Sequence, residues 1–235
     1  MSAPSGPMPV PAVVAAIAGE RPVTAVWVNE LGGVTFRIGA ADAPEEFVKI
    51  YPEDAPRLLD AEVQRLQWAR SYAAVPTVLD SGPGWLWTSA LPGRSAVDAL
   101  WSDRPEVAAR AIGAGLRELH DALPVDACPF GRPSWVGGAG PPADRLVVCH
   151  GDACAPNTLM GDDGTFSGHV DLGDLGVADR WADLAIATMS LDWNYPTADD
   201  RDYEAVLLDA YGAPPDRERI AHYRGRWNDE PAAPG

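Results

Sequence analysis

The sequence predicts an α+β fold, a small β-rich lobe with one helix followed by a mostly helical lobe. Three observations predict it. Residues 24–51 alternate β-branched and aromatic runs with Gly, Pro and Asp punctuation, the pattern of short strands. The longest helical pattern, Glu106 to Leu123, and three further helical stretches all lie beyond Gly93. Between these regions, Leu91-Pro92-Gly93 interrupts every period, which divides the chain into an N-terminal lobe, 1–91, and a C-terminal lobe, 92–235.

Taken in order, residues 1–22 read as mostly helical after an irregular start, with Pro22 closing the segment. Val26-Trp27-Val28 and Val34 to Ile38 flank a Gly32-Gly33 turn, and Phe47-Val48-Lys49-Ile50-Tyr51 is a third strand. From Pro56 to Tyr72, Leu58, Leu59, Glu62, Leu66 and Ala69 fall on one side of a helix. Val78 to Ser81 and Trp85 to Ala90 are two strands around Gly82-Pro83-Gly84. The long helix is entered through Asp103 and Pro105. Pro124 to Asp144 is rich in Pro and Gly and reads as irregular. Val147-Val148-Cys149 is a short buried strand, and Thr158-Leu159-Met160 and Phe166 to Val170 are two more. Asp179 to Leu191, Asp200 to Tyr211 and Asp216 to Tyr223 are the closing helices.

The composition is that of a globular protein, 46% hydrophobic and 22% charged over 235 residues. Apolar stretches are broken well short of the ~20 residues that span a membrane. Met1 to Pro11 carries no basic region or clear cleavage site, and three cysteines (Cys128, Cys149, Cys154) form no disulfide framework. Both observations suit the cytoplasm. A net charge of −16 argues against nucleic acid or an anionic membrane as partner and permits a cationic small molecule. A solubilising acidic surface accounts for the same charge equally well. Of the 18 basic residues, one is lysine, Lys49, and the rest are arginine. A position that keeps lysine in such a chain is a candidate for a role that a planar guanidinium cannot fill.

The densest chemical signal is His150-Gly151-Asp152-Ala153-Cys154-Ala155-Pro156-Asn157, followed by Asp171-Leu172-Gly173. Phosphoryl transfer needs a carboxylate to accept the nucleophile's proton and oxygen ligands to hold Mg²⁺ against the phosphates. Asp152 supplies the first, and Asn157 and Asp171 the second. Upstream, Lys49 lies on a predicted strand and Glu62 on the next helix, as a phosphate-contacting lysine and its orienting carboxylate require. The spacing of Cys149, His150 and Cys154 matches no usual zinc pattern, and His150 is better read as fixing the loop backbone.

The run from Val147 to Leu191, with Leu91-Pro92-Gly93, Leu119-His120 and Val125 to Phe130, resembles the aminoglycoside O-phosphotransferases, and within them the 3′/3″-phosphotransferase branch. The resemblance covers nearly the whole chain. It implies a bilobal protein-kinase-like fold, ATP or GTP as donor with Mg²⁺, and a cationic acceptor such as an aminoglycoside. It also implies Asp152 as base, Asn157 and Asp171 as metal ligands, and Lys49 and Glu62 as phosphate clamp. The adenine would lie against Ser89-Ala90-Leu91, and a loop at Asn29 to Thr35 would cover the phosphates. Asp179 and Arg180 would brace the catalytic loop, and the protein would be a monomer or weak dimer.

Three departures fall on the acceptor side. Only 29 residues separate His120 from His150, where relatives carry a longer helical insertion. Asp174 stands where many relatives have Arg. The C-terminus, Trp227 to Gly235, lacks the acidic-aromatic end found in relatives. The acceptor region is therefore expected to be remodelled, with Trp135 and Trp193 near its opening as platforms for a sugar and Asp174 and Asp192 on an acidic surface. Two other functions compete: a kinase of an endogenous amino sugar or other hydroxylated metabolite, and a non-catalytic nucleotide-binding pseudokinase. The complete set Lys49, Glu62, Asp152, Asn157 and Asp171 argues against the latter. Protein-kinase activity is disfavoured because no long activation segment follows Asp171.

Overall fold

A computed structural model describes residues 4, 6–29, 32–52, 57–137, 140–195 and 201–229, with Arg57 and Leu58 described by backbone only. The chain divides into two compact units. The first runs to Trp68 and resumes over Pro76–Ala90, and the second comprises Ala69–Val75 and the chain from Leu91.

The first unit is built on a five-stranded antiparallel sheet. Its strands are β1 (Val23–Val28), β2 (Val34–Gly39), β3 (Pro44–Ile50), β4 (Val78–Gly82) and β5 (Trp85–Ser89), in the order β1-β2-β3-β5-β4. Strand alternation sorts the two faces. Phe36, Ile38 and Val48 point to one side, where Val14 and Ala18 of helix α1 (Ala12–Ala18) close a small core. Lys49, next to Val48, therefore points to the other. α1 is shorter than the sequence suggests, because Gly19 adopts φ 60° and ends the helix before Pro22 is reached. β3 begins earlier than expected, at Pro44, since a strand's first residue tolerates proline. Helix α2 (Arg57–Ala69) buries Leu59, Glu62 and Leu66 on one stripe, as the sequence predicts.

In the second unit, β6 (Arg94–Ser95), β8 (Thr158–Met160) and β9 (Phe166–His169) form one small sheet. A second pairs β7 (Leu146–Cys149) with β10 (Gly176–Asp179). Neither β6 nor β10 is predicted from sequence, because two to four residues beside glycines carry no periodic signal. Four helices complete the unit: α3 (Pro105–Ala122), α4 (Trp181–Asn194), α5 (Tyr203–Tyr211) and α6 (Arg217–Asn228). Every residue of α4 from Trp181 to Leu191 is buried, which makes it the central core helix. Each large aliphatic side chain buried there contributes about 1.5–3 kcal/mol. α3 and α5 approach so closely at Gly113 that a Cβ would lie 2.2 Å from the Leu207 carbonyl oxygen. α5 and α6 start at Asp202 and Asp216, whose carboxylates accept from Ala205 N (2.9 Å) and Arg219 N (3.0 Å). The segment between α3 and β7 is irregular as expected, apart from single 3₁₀ turns at Val125–Ala127 and Ser134–Val136.

Candidate active site

In the first unit, Lys49 Nζ donates to Glu62 Oε1 at 2.7 Å. Lys49 sits in mid-sheet, opposite Thr35 on β2 and Leu86 on β5, so its backbone is fixed from both sides. Glu62, 5% exposed, is one of the few buried carboxylates, and its position on the apolar stripe of α2 requires a cationic partner. At the β1–β2 connection, Gly33 N donates to Asn29 Oδ1 (2.7 Å), and Asn29 Nδ2 donates to the Tyr51 hydroxyl (2.5 Å). Residues 30 and 31 of the expected phosphate loop lie outside the described residues. The Ser89 hydroxyl accepts from Thr77 N at 3.0 Å and is thus engaged within its own sheet edge. Leu91, the first residue of the second unit's main segment, packs at Gly168, where a Cβ would lie 2.8 Å from its Cδ1.

In the second unit, β7 delivers His150, Gly151 and Asp152 to a loop whose backbone is held from below. Asp183 of α4 accepts from His150 N with Oδ2 (2.6 Å) and from Gly151 N with Oδ1 (3.0 Å). The same Asp183 carboxylate bonds His120 Nε2 (2.9 Å), and His120 Nδ1 bonds the Tyr211 hydroxyl (2.9 Å). Burial alone would push the Asp183 carboxyl up. The His120 hydrogen bond, the charges of His120 and His150 and the Gly151 N–H outweigh it and hold the group below the usual carboxylate range. Gly151 is obligatory here. Its φ is 88°, and a Cβ would lie 2.1 Å from the Asp174 carbonyl oxygen. His150 fixes the loop in the way its sequence position suggests. One ring nitrogen, Nε2, reaches Val170 O (3.0 Å), and the other, Nδ1, receives Asp152 N (3.3 Å).

Asp152 is half-buried, and its Oδ1, which is fully enclosed, has no hydrogen-bond partner among the described residues. Burial, and next the neighbouring Asp171 carboxylate, raise its pKa against the opposing pull of Cys154, His150 and Asn157. Asn157 Nδ2 donates to the Asp152 carbonyl (3.0 Å), and Val170 N donates to the Asn157 carbonyl (3.0 Å). These bonds bring Asn157 and the approach to Asp171 against the same loop. Among the described residues Asp171 alone, apart from glycines, has positive φ, 65°. Such a conformation costs about 1–3 kcal/mol and persists only where the surroundings impose it.

Three expectations are corrected. Trp135 is no open sugar platform: it is 6% exposed and donates its indole N–H to the Gly151 carbonyl at 2.7 Å. Asp174 is not a free acidic surface group, since its carboxylate accepts from Ser134 N (2.8 Å) and Ser134 Oγ (3.1 Å). The loop of His150 to Asp152 is braced by Asp183. Asp179 binds Arg219 (2.6 Å), and Arg180 binds Asp144 (2.6 Å). The Asp183 role escaped the sequence reading, yet a lone carboxylate in the apolar run from Trp181 to Leu191 was the signal, because a buried charge demands partners. Among the described residues, the His, Cys, Asp and Glu side chains that converge within 4.8 Å are His120, Cys149 and Asp183, all buried. His120 and Asp183 are engaged in the bonds above, and burial keeps the Cys149 thiol protonated. Trp193, by contrast, is 54% exposed at the end of α4.

A strand lysine paired with a glutamate on the next helix, with a His-Gly-Asp loop and an Asp-Leu-Gly turn in a helical unit, is the arrangement of a phosphotransferase of protein-kinase-like fold. The profile of the phosphotransferase enzyme family matches residues 29–139 and 133–223. An aminoglycoside 3′-phosphotransferase of Streptomyces fradiae is 31% identical over 248 residues, covering 84% of this chain and 91% of the relative. A streptomycin 3″-kinase of Streptomyces griseus is 32% identical, covering 85% and 89%. Among solved structures, the aminoglycoside phosphotransferase APH(3″)-Id of Streptomyces rimosus, in complex with ADP and streptomycin, superposes with a TM-score of 0.71 at 27% identity. It covers 91% of this chain and 94% of that one. The chain belongs to the phosphotransferase enzyme family and is an enzyme of its aminoglycoside phosphotransferase group. The aligned stretch of 248 residues with the S. fradiae enzyme exceeds the 235 residues of this whole chain, so the relative carries segments that this chain lacks.

Proposed function

We propose that this enzyme transfers the γ-phosphate of ATP to a hydroxyl of an aminoglycoside, with Asp152 as proton acceptor. The observation that carries the reading is the half-buried Asp152 carboxylate, raised in pKa beside Asp171 and with one enclosed oxygen unpaired. The acceptor class rests on the relatives' activities, and a net charge of −16 suits a polycationic acceptor.

In this reading the acceptor oxygen forms a bond to the γ-phosphorus while the bond from that phosphorus to the β–γ bridging oxygen breaks, releasing ADP. The hydroxyl proton passes to Asp152. Lys49, oriented by Glu62, contacts the α- and β-phosphates. The adenine lies against Ser89 to Leu91, where the Ser89 hydroxyl accepts from Thr77 N and the Ser89 and Ala90 N–H groups donate to Thr77 and Glu45 carbonyls. Asn157 and Asp171 would hold Mg²⁺. The Asp171 carboxylate and the Asn157 amide oxygen are hard donors, and the unpaired Asp152 oxygen beside Asp171 fits a site shaped for a cation. When bound, the metal neutralises phosphate charge. The enzyme works in the cytoplasm, where both ATP and Mg²⁺ are found.

A second acceptor class, an endogenous amino sugar or other hydroxylated metabolite, is favoured by the short interval between α3 and β7. ADP release by the purified protein with ATP and Mg²⁺, measured across an aminoglycoside panel with Asp152→Asn as control, separates the two. Aminoglycoside-dependent release lost in the variant is the expected result. Nucleotide binding without such release would reject the aminoglycoside and favour the metabolite. GTP in place of ATP tests the donor in the same assay.

A further inference from the structure

We propose that Trp135 is a positioning residue for phosphoryl transfer: its indole N–H, donated to the Gly151 carbonyl, fixes the Gly151–Asp152 peptide and so the aim of the Asp152 carboxylate. The proposal rests on the reading of Asp152 as proton acceptor. The peptide in question is held at each polar group. Its carbonyl accepts from Trp135 Nε1 (2.7 Å), and its N–H, on Asp152, donates to His150 Nδ1 (3.3 Å). The preceding N–H, on Gly151, donates to Asp183 (3.0 Å). Because Gly151 has φ 88° and no side chain, nothing in its own covalent structure restrains this peptide against rotation. The restraint has to come from outside, and Trp135 supplies it on the carbonyl side.

A second contact makes the grip two-pointed. Ser134, the neighbour of Trp135, gives its N–H and its hydroxyl to the Asp174 carboxylate, three residues past Asp171. The Asp174 carbonyl in turn lies against Gly151, where a Cβ would come within 2.1 Å. Ser134 and Trp135 therefore tie together the loop that bears Asp152 and the turn that follows Asp171. The Trp135 ring is itself seated edge-on against Trp227 and Tyr223 of α6, at centroid distances of 5.1 and 6.4 Å. In this chain the short segment between α3 and β7 thus reinforces the reacting loop.

Ordinary core packing would explain the buried ring but not the direction of its N–H, and two variants separate the explanations. Trp135→Phe keeps an aromatic ring and removes the donor. Trp227→Phe disturbs the ring's seat and leaves the donor in place. Hydrogen–deuterium exchange of the full-length protein without nucleotide or acceptor reads the clamp directly. Trp135→Phe is expected to raise exchange of the Gly151–Asn157 peptide about tenfold while α4 keeps its protection. Steady-state ADP formation reads the consequence: kcat falls about 10- to 100-fold for Trp135→Phe. KM for ATP stays within about twofold, because the nucleotide contacts are untouched. Trp227→Phe is expected to lower Tm and leave kcat near wild type.

Unchanged loop exchange in Trp135→Phe would overturn the clamp. Raised exchange with unchanged kcat would overturn its role in positioning, and an equal kcat loss in Trp227→Phe would assign the effect to packing. A wild-type protein inactive on every aminoglycoside would sink the acceptor reading alone. The exchange comparison uses no acceptor and would still support or reject the clamp.

Discussion

The two charged centres of this enzyme are built on opposite principles. Lys49 and Glu62 form a compensated pair, with a 2.7 Å bond between a cation on a central strand and a carboxylate on the helix that follows. Asp152 and Asp171 are two carboxylates brought together, one of them half-buried with an enclosed oxygen unpaired and the other held at φ 65°. The first centre is complete by itself. The second is unfavourable by itself and exists because Asp183, His150, Asn157 and Trp135 impose it. Local complementarity thus assembles the Lys49–Glu62 pair, whereas surrounding structure holds the two carboxylates in place.

That contrast predicts how each centre breaks. Asp152→Asn keeps the loop's backbone bonds and removes only the proton acceptor. Turnover should fall by about 10²–10⁴-fold with little change in KM for ATP, measured by ADP release. Lys49→Ala should instead lower kcat/KM for ATP by about 100-fold, because it misplaces the phosphates while leaving the acceptor's proton path intact. The comparison would fail if the two variants gave the same split between kcat and KM. A smaller effect tests the support directly. The Ser190 hydroxyl accepts from Ala155 N at 2.9 Å in the buried loop, so Ser190→Ala strands an N–H. The cost is about 1–3 kcal/mol, read as a lower midpoint in denaturant unfolding.

The same contrast explains what the sequence discloses. Lys49 and Glu62 were legible because their signal is compositional and local: a lone lysine on a strand, and a carboxylate on an otherwise apolar helix stripe. His150, Asp152, Asn157 and Asp171 were legible as residue types that phosphoryl transfer needs, at spacings short enough for one loop system. The supports were not. Trp135 meets Gly151 across 16 residues and Ser134 meets Asp174 across 40, through a segment with no periodicity, so only the folded path reveals them. β10 escaped because its four residues become a strand only by pairing with β7. Asp183 was visible in sequence but assigned no partner, and Asp179 and Arg180 received its role.

Asp183 also gives the mildest prediction, one of pH dependence. Its folded pKa lies below the ordinary carboxylate value, so the charged form is preferred in the native state more than in the unfolded chain. The stabilisation is fully present above the unfolded value, about 3.9. It is lost as pH falls through the depressed folded value. One such group bends the stability curve by at most about 1.4 kcal/mol per pH unit on the acid side and leaves the neutral range flat. Asp183→Asn cannot accept from both His150 N and Gly151 N with equal strength, so it should be less stable at every pH. The diagnostic is therefore the slope. Unfolding midpoints from pH 5 to pH 2.5 should fall less steeply in Asp183→Asn than in wild type. Parallel curves would mean that the loop is held by the shape of the Asp183 side chain and not by its charge, which would place the support on the same neutral footing as the Trp135 bond.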